Sequence, residues 1–491
     1  MRHPARSFVL VTIDCLRADH VGFLGYSRNT TPFLDSLAAE SFVFKNAMAS
    51  GVPTYYSLPA LLGSRYPLAL GRDVIGIAPG ENTLASELSE CGFRTAAFLA
   101  ANPYISTAFG YEGGFEVFRD FLSGSEVSRV PTPESGVRHR TNRMLSRACH
   151  SVPLLGAAYD ELYFQYCQRA ATSDKDSLES LRRFPAADVI VDCASAWLDE
   201  NSGGPFFLWL HLMDPHAPYY PKLEALQDMD GEITASEAKY LNSFWQRTDL
   251  GTERLQTKRD AIVSLYDAGV HWADAQIRRL VQKLRELKAW DQCALAFTAD
   301  HGEEFLEHGG RFHSPLKLTE ELVHVPLLLR VPSYSERCDL ESPIGLIDVA
   351  PTVFDLLDLP APASFRGRSC WRSLTNGWAW DWPVFTECAS GCSNPLDVEK
   401  RYSPRLLAVR RRDYKLVIDF ASGTDSLYHI SSDPHERRPL AAGEARELRK
   451  DLLNCARKHV AESCAARNFD LSLGCQLREF RLKHSIAGRP N

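Results

Sequence analysis

The stretch FVLVTID at residues 8–14 decides the fold: a β-rich apolar run that stops on a single carboxylate reads as a buried strand delivering Asp14 to a sheet edge. Three further runs have the same form. Arg94 to Ala101 ends at Asn102, Phe206 to Leu212 ends near Asp214 and His216, and Ala294 to Thr298 ends at Asp300 and His301. Helical patterns separate them. Thr31-Pro32 opens one helix at its first position, and Gly92 closes another over Leu84 to Cys91. A longer helix is expected from about Asp260 to Trp290, with Ile262, Leu265, Ile277, Leu280, Leu284 and Leu287 on one apolar stripe. This alternation predicts an α/β fold with a parallel sheet covered on both faces. Ligands of such sheets bind beyond the carboxyl ends of the strands, so the four polar ends are expected to converge on one site.

The alternation runs through about residue 370 of 491, leaving room for a large domain and a smaller one. Residues 121–183 break it with a Ser/Pro/Arg-rich loop and an aromatic-bearing helical stretch, read as an insertion and candidate lid. After Asn376 come short strands, Leu406 to Arg410 and Tyr414 to Ile418, and a charged helix from Ala442 to about Ser463. The expected division is therefore 1–376, catalytic, and 377–491, a small α+β subdomain with an antiparallel sheet.

Fifty-five basic against 62 acidic residues give a formal charge of −7, which supplies no basic field for nucleic acid. An anionic substrate must be gripped locally. No apolar stretch is long enough for a membrane span. The 13 cysteines lack paired CxxC spacing, which fits reduced thiols and a cytoplasmic location. Oligomeric state is not legible.

Asp14 and Asp300-His301 are candidate metal ligands, since hard divalent cations favour carboxylate oxygens and a mixed Asp/His set also suits Mn²⁺ or Zn²⁺. Each alone reads more readily as a turn or a helix cap. Their shared sheet edge favours the metal.

Specific motifs extend this reading. VLVTIDCLRADHVGFLGY (9–26) and FTADHGEEFLEHG (297–309) resemble the opening strand and the second metal motif of sulfatases. PFFLWLHLMDPHAPYYP (205–221) is similar to that family's substrate-binding segment, and HVPLLLRVP (324–332), IDVAPTVFDLLDLP (347–360) and LYHISSDPHERRPL (427–440) follow in the family's order. The resemblance implies an alkaline-phosphatase-like three-layer α/β/α sandwich with a small C-terminal antiparallel sheet. It also implies one divalent cation, Ca²⁺, Mg²⁺, Mn²⁺ or Zn²⁺, and a nucleophile at a helix start, where backbone N–H groups favour anions.

At that nucleophile the chain departs from the family. Many sulfatases carry Cys-x-Pro-Ser-Arg, the cysteine becoming formylglycine; ungapped matching of TYYSLPALLGSRYP (54–67) puts Thr54 there, with Tyr56, Ser57 and Leu58 at the Pro, Ser and Arg. Formylglycine cannot arise from threonine and none is expected. A threonine hydroxyl acidified by a metal can attack directly, as in phosphodiesterase and phosphotransferase relatives. Ser57 is a rival that costs the flanking match. The implied metal set is Asp14, Thr54, Asp300 and His301.

Other departures follow. Cys15 replaces a second metal-binding aspartate of the family and is not counted as a ligand. Asn102 is expected to donate to a non-bridging substrate oxygen. His216 matches the residue that contacts the transferred group and is expected to act as acid or oxyanion donor, whereas His211, within the strand, reads as core. Leaving-group assistance falls to His313 or Lys317, since the family's lysine position holds Pro315; Glu303, Glu304 and Glu307 are expected to be solvated. Three functions stay open: a metal-dependent hydrolase of sulfate or phosphate esters, a transferase passing such a group to an alcohol, and a degenerate anion binder.

Overall fold

The computed structural model describes residues 5–122, 178–229, 233–441 and 443–463. Its main sheet contains β1 (Ser7–Ile13), β2 (Phe42–Met48), β3 (Arg94–Leu99), β4 (Val117–Arg119), β5 (Phe206–Leu212) and β6 (Cys293–Ala299). After the two-stranded ribbon β7 (Glu304–Phe305) and β8 (Arg311–Phe312), β9 (His324–Arg330), β10 (Cys338–Leu340) and β11 (Ile344–Gly345) complete it. The strand order is β10-β2-β9-β6-β1-β5-β3-β4, with β11 beside β2. β1 lies between β5 and β6, parallel to both, and is buried along its whole length. A strand with no solvated face needs an unbroken apolar run, which FVLVTI supplies.

The expectation of a parallel sheet is corrected in one respect. β9 runs antiparallel to both β6 and β2, so the sheet is mixed. The reason is connectivity: a parallel β9 would need a crossover returning the chain to the opposite edge. Instead residues 300–323 stay at the carboxyl edge of β6, through the β7-β8 ribbon and a short helix Glu320–Val323 that leads directly into β9.

Helices form two groups. α1 (Pro32–Ala38) and α4 (Ala187–Asn201) each pack on α5 (Arg259–Glu286); in the other set α3 (Leu84–Glu90) and α6 (Val349–Leu356) each pack on α2 (Thr54–Gly63). Pro32 stands in the first turn of α1, and Asp274 of α5 accepts the N–H groups of Phe33 and Leu34 at 2.9 and 2.8 Å. α5 ends at Glu286, short of the expected Trp290, which starts a separate 3₁₀ turn. Its predicted stripe is buried from Ile262 to Leu284, while Leu287 is only partly so.

The second sheet is antiparallel: β12 (Val384–Ala389), β13 (Arg405–Arg411), β14 (Tyr414–Asp419) and β15 (Thr424–His429), with a helix over 446–463 behind it. Cys388, Ala389, Leu406 and Ala408 pack against Met48, Val52, Tyr55 and Leu322, so this sheet seals the side of the main one near α2. Nearly all of the expected insertion, 123–177, lies outside the described residues. Among the described residues no helix is long and apolar enough to cross a membrane.

Candidate active site at the carboxyl edge

Neighbouring strands β1 and β6 end side by side, Ile13 opposite Ala299, and this register sets Asp14 beside Asp300. Cys15 then takes a left-handed conformation, φ 62°. That turn costs a non-glycine residue about 1 kcal/mol, and it directs the Cys15 N–H to Asp300 Oδ1 at 3.2 Å. After Asp300 and His301 the chain must pass close to residues 320–323. A Cβ on Gly302 would stand 2.0 Å from the Glu321 carbonyl oxygen, so only glycine fits.

Thr54 opens α2 and aims at the same point. Its Oγ1 lies 3.2 Å from His301 Nε2 and 3.5 Å from Asp14 Oδ2. His301 Nδ1 is 2.9 Å from the Gly302 carbonyl, which assigns its proton there and leaves a lone pair on Nε2. That lone pair faces Asp300 Oδ2 at 3.4 Å and Asp14 Oδ1 at 3.7 Å. Asp300 Oδ2 is buried with no hydrogen-bond partner.

Two fully buried carboxylates, an orphaned oxygen and an imidazole lone pair repel one another unless a cation lies between them. The donor set thus fits the divalent cation expected at Asp14, Thr54, Asp300 and His301. Burial and the Asp14 charge push the Asp300 carboxyl up, whereas Asp14, despite its own burial, is held well below the usual range by His216 and by its hydrogen bond with His211.

Around this cradle stand His211, His216 and His313. His211 is fully buried, joined to Thr12 Oγ1 at 2.8 Å and to Asp14 Oδ2 at 3.4 Å, a supporting place in keeping with its position inside β5. The His216 and His301 rings lie 5.2 and 4.8 Å from that of His313. Burial lowers the His216 imidazole. It opposes His313 too, but there Glu303 prevails and holds the imidazolium above its ordinary range.

Several expectations need correction. Asn102 donates to Asp14 Oδ2 at 2.9 Å, so its amide fixes a cradle carboxylate rather than facing open space. Lys317 is not brought to the cluster: its Nζ lies 3.0 Å from Glu304 Oε1 and 2.6 Å from the His308 carbonyl. Glu303, Glu304 and Glu307 are not solvated. Glu303 Oε2 lies 3.4 Å from His313 Nδ1 while Oε1 accepts from Tyr219 Oη at 3.1 Å, and Glu307 pairs with Arg17 at 2.7 Å. Glu303 was missed because three glutamates within five residues, Glu303, Glu304 and Glu307, look like surface; no local signal reveals that Tyr219 and His313 close over it. Ser57 Oγ donates to the Asp300 carbonyl and is committed to holding α2 against the β6 end. Asp214 receives Arg182 at 2.7 Å and serves the loop, not the cradle.

Fold and cradle together define an alkaline-phosphatase-like α/β/α protein with an anionic centre at its strand ends. The sulfatase profile matches residues 6–359, and the chain belongs to the sulfatase family. The multifunctional alkaline phosphatase superfamily protein PehA of Trinickia caryophylli is 23% identical over 494 residues, covering 90% of this chain and 92% of that protein. Choline-sulfatase of Rhizobium meliloti is 26% identical over 50% of this chain and 48% of its own length, and arylsulfatase K of Bos taurus 27% identical over 50% and 44%. Among solved structures, the phosphonate monoester hydrolase of Agrobacterium radiobacter superimposes with a TM-score of 0.60 at 18% identity, covering 94% of this chain and 96% of that one. A protein solved with its substrate D-glucosamine-2-N,6-O-disulfate superimposes with a TM-score of 0.67 at 16% identity, covering 95% and 99%.

Proposed function

We propose that the chain is a metal-dependent hydrolase of sulfate or phosphate esters that uses Thr54 as its nucleophile, in an N-terminal catalytic region over 1–376. The observation that carries this is Thr54 Oγ1 standing over His301 Nε2 and Asp14 Oδ2 at a helix start. Asp14, Thr54, Asp300 and His301 would hold one divalent cation, which when bound acidifies the threonine hydroxyl and polarises the ester.

This chain's own residues do the rest. Thr54 Oγ, its proton released to solvent, forms the bond to phosphorus or sulfur as the bond to the leaving alcohol's oxygen breaks. His313, kept protonated by Glu303, gives its proton to that oxygen, and His216, once it takes up a proton on Nε2, donates to a non-bridging oxygen. Water then attacks the phosphorus or sulfur, giving a proton to the now neutral His313, and the bond to Thr54 Oγ breaks as that oxygen takes a proton back from solvent. Asn102 and His211 keep Asp14 in place. A cytoplasmic location is part of this reading and is supported by the lack of paired CxxC spacing among the 13 cysteines.

Turnover of aryl sulfate, phosphate monoester, phosphate diester and phosphonate substrates, each with Mn²⁺, Zn²⁺, Mg²⁺ or Ca²⁺, tests the reading. Metal-dependent hydrolysis of at least one, lost in Thr54→Ala, is expected. Turnover that survives Thr54→Ala unchanged rules Thr54 out.

A further inference from the structure

Beside the cradle, three donor atoms converge that its cation does not use. Cys15 is fully buried, its Sγ 3.3 Å from His313 Nδ1. That sulfur and one ring nitrogen from each of His216 and His313 all lie within 4.8 Å of one another. Sulfur and nitrogen ligands of a tetrahedral zinc ion stand about 3.6 Å apart, given ordinary Zn–S and Zn–N bond lengths. The Cys15–His313 pair is already near that spacing, and His216 needs only a small side-chain adjustment.

The neighbours suit ligation. His216 Nδ1 lies 2.6 Å from the Ala217 carbonyl, which places its proton there and leaves Nε2 as the lone-pair nitrogen. A ring whose second nitrogen is bonded to a carbonyl is how metal-ligating histidines are oriented. Glu303 adds a buried negative charge 3.4 Å from His313 Nδ1.

Charge points the same way. Asp14, Asp300 and Glu303 are fully buried, and among the described residues no Lys or Arg forms an ion pair with any of them. One divalent ion in the cradle and the His313 imidazolium together balance these three carboxylates. A second ion that displaces the His313 proton and the Cys15 proton keeps that balance, two divalent ions standing against three carboxylates and one thiolate.

We propose that Cys15, His216 and His313 form a second cation site, selective for thiophilic divalent ions such as Zn²⁺ or Cd²⁺ over Mg²⁺ or Ca²⁺, and that filling it suppresses ester turnover. The selectivity follows from the donors, since a thiolate and two imidazoles prefer soft or borderline ions. On binding, the Cys15 S–H bond and one His313 N–H bond break, metal bonds form to Cys15 Sγ and to one ring nitrogen each of His216 and His313, both protons leave to solvent and no electron is transferred. The suppression rests on the roles given above to His216 and His313: ligation takes both imidazoles from the reacting group.

The test is a titration of chelator-stripped full-length protein with Co²⁺ alone, followed by absorbance. A thiolate-to-cobalt charge-transfer band is expected, absent from Cys15→Ser, which should bind one equivalent fewer. His216→Ala keeps the thiol and is partly exposed at that position, so it covers the case in which Cys15→Ser does not fold; its band should weaken or shift. The same band in both variants as in the wild type overturns the site. In a second arm, Zn²⁺ added to Mn²⁺-loaded enzyme should lower turnover at least tenfold relative to the enzyme's own Mn²⁺ rate, an effect lost in Cys15→Ser. Equal inhibition of wild type and Cys15→Ser overturns the suppressive role. A cobalt band in a protein that turns over no ester would sink the hydrolase reading while leaving the cation site standing.

Discussion

Two clusters of buried charge lie at the two ends of the segment 300–323, and they are built on opposite rules. At the junction with the C-terminal sheet, Glu320 pairs with Lys415 at 2.8 Å and Arg410 at 3.2 Å, and Lys415 also meets Glu436 at 3.0 Å. Two anions face two cations, and Glu436 Oε2 further accepts the Glu320 N–H at 2.7 Å. At the strand ends, Asp14, Asp300 and Glu303 have, among the described residues, His, Asn, Cys, Thr and Tyr side chains for company and no Lys or Arg. A buried network that satisfies itself holds parts together; one short of positive charge is waiting for a cation or substrate. The difference separates structure from function without reference to any relative.

The largest expected effect is on chemistry. Thr54→Ala should lower kcat about a thousandfold or more, in line with loss of a nucleophile, while thermal unfolding stays near wild type. Next comes the junction. Lys415→Met leaves Glu320 and Glu436 buried without their shared ammonium, and should destabilise the protein by about 3–5 kcal/mol, read by chemical denaturation. Asp300→Asn should do the reverse in chelator-treated protein, because it removes one of two repelling carboxylates: unfolding moves to equal or higher denaturant. The same variant should weaken Mn²⁺ binding about 100-fold by calorimetry. If Asp300→Asn instead unfolds the metal-free protein as Lys415→Met does, the contrast between the clusters is broken.

Much of the site was legible because its signals are local. An apolar run ending on Asp14, and another ending on Asp300-His301, announce strand ends whatever surrounds them, and the ungapped match of residues 54–67 puts Thr54 at the family's nucleophile position. The antiparallel β9 was not legible, since HVPLLLR reads the same in either direction and its orientation depends on where the chain enters. Burial of Glu303 was hidden for a related reason. Its partners Tyr219 and His313 come from separate segments, and only their meeting converts an acidic stretch from surface into site. Lys317 misled in the other direction: a lysine in the right stretch of sequence is held by Glu304, one ribbon away from the cradle.

Acid separates the clusters again, by a smaller amount. Burial alone would raise the Glu320 carboxyl, yet Lys415 and Arg410 hold it at about 2. A carboxyl depressed on folding contributes stability that is complete above its unfolded value, about 4.3, and that fades as pH falls toward the folded one. Wild type should therefore lose stability between about pH 4.5 and 2 more steeply than Glu320→Gln, in denaturation followed across pH. Parallel curves would mean that Glu320 is not titrating against its cations.

The smallest effect is expected at Lys317, and it decides which group assists the leaving oxygen. Its partner Glu304 keeps the N–H groups of His308 and Gly310 at 3.0 and 2.9 Å when the ammonium is gone, so no carboxylate is stranded. Lys317→Ala should then cost under about 1 kcal/mol of stability, as for a partly exposed ion pair, and leave kcat within about twofold. His313→Gln should lower kcat by about 100-fold, typical of a lost general acid, and more for esters of poor leaving groups than for aryl esters. The leaving-group dependence matters most, because only a residue that protonates the departing oxygen produces it. If that dependence appears in Lys317→Ala and not in His313→Gln, the ammonium reaches the site in the working enzyme and the Glu304 contact is not its resting place during turnover.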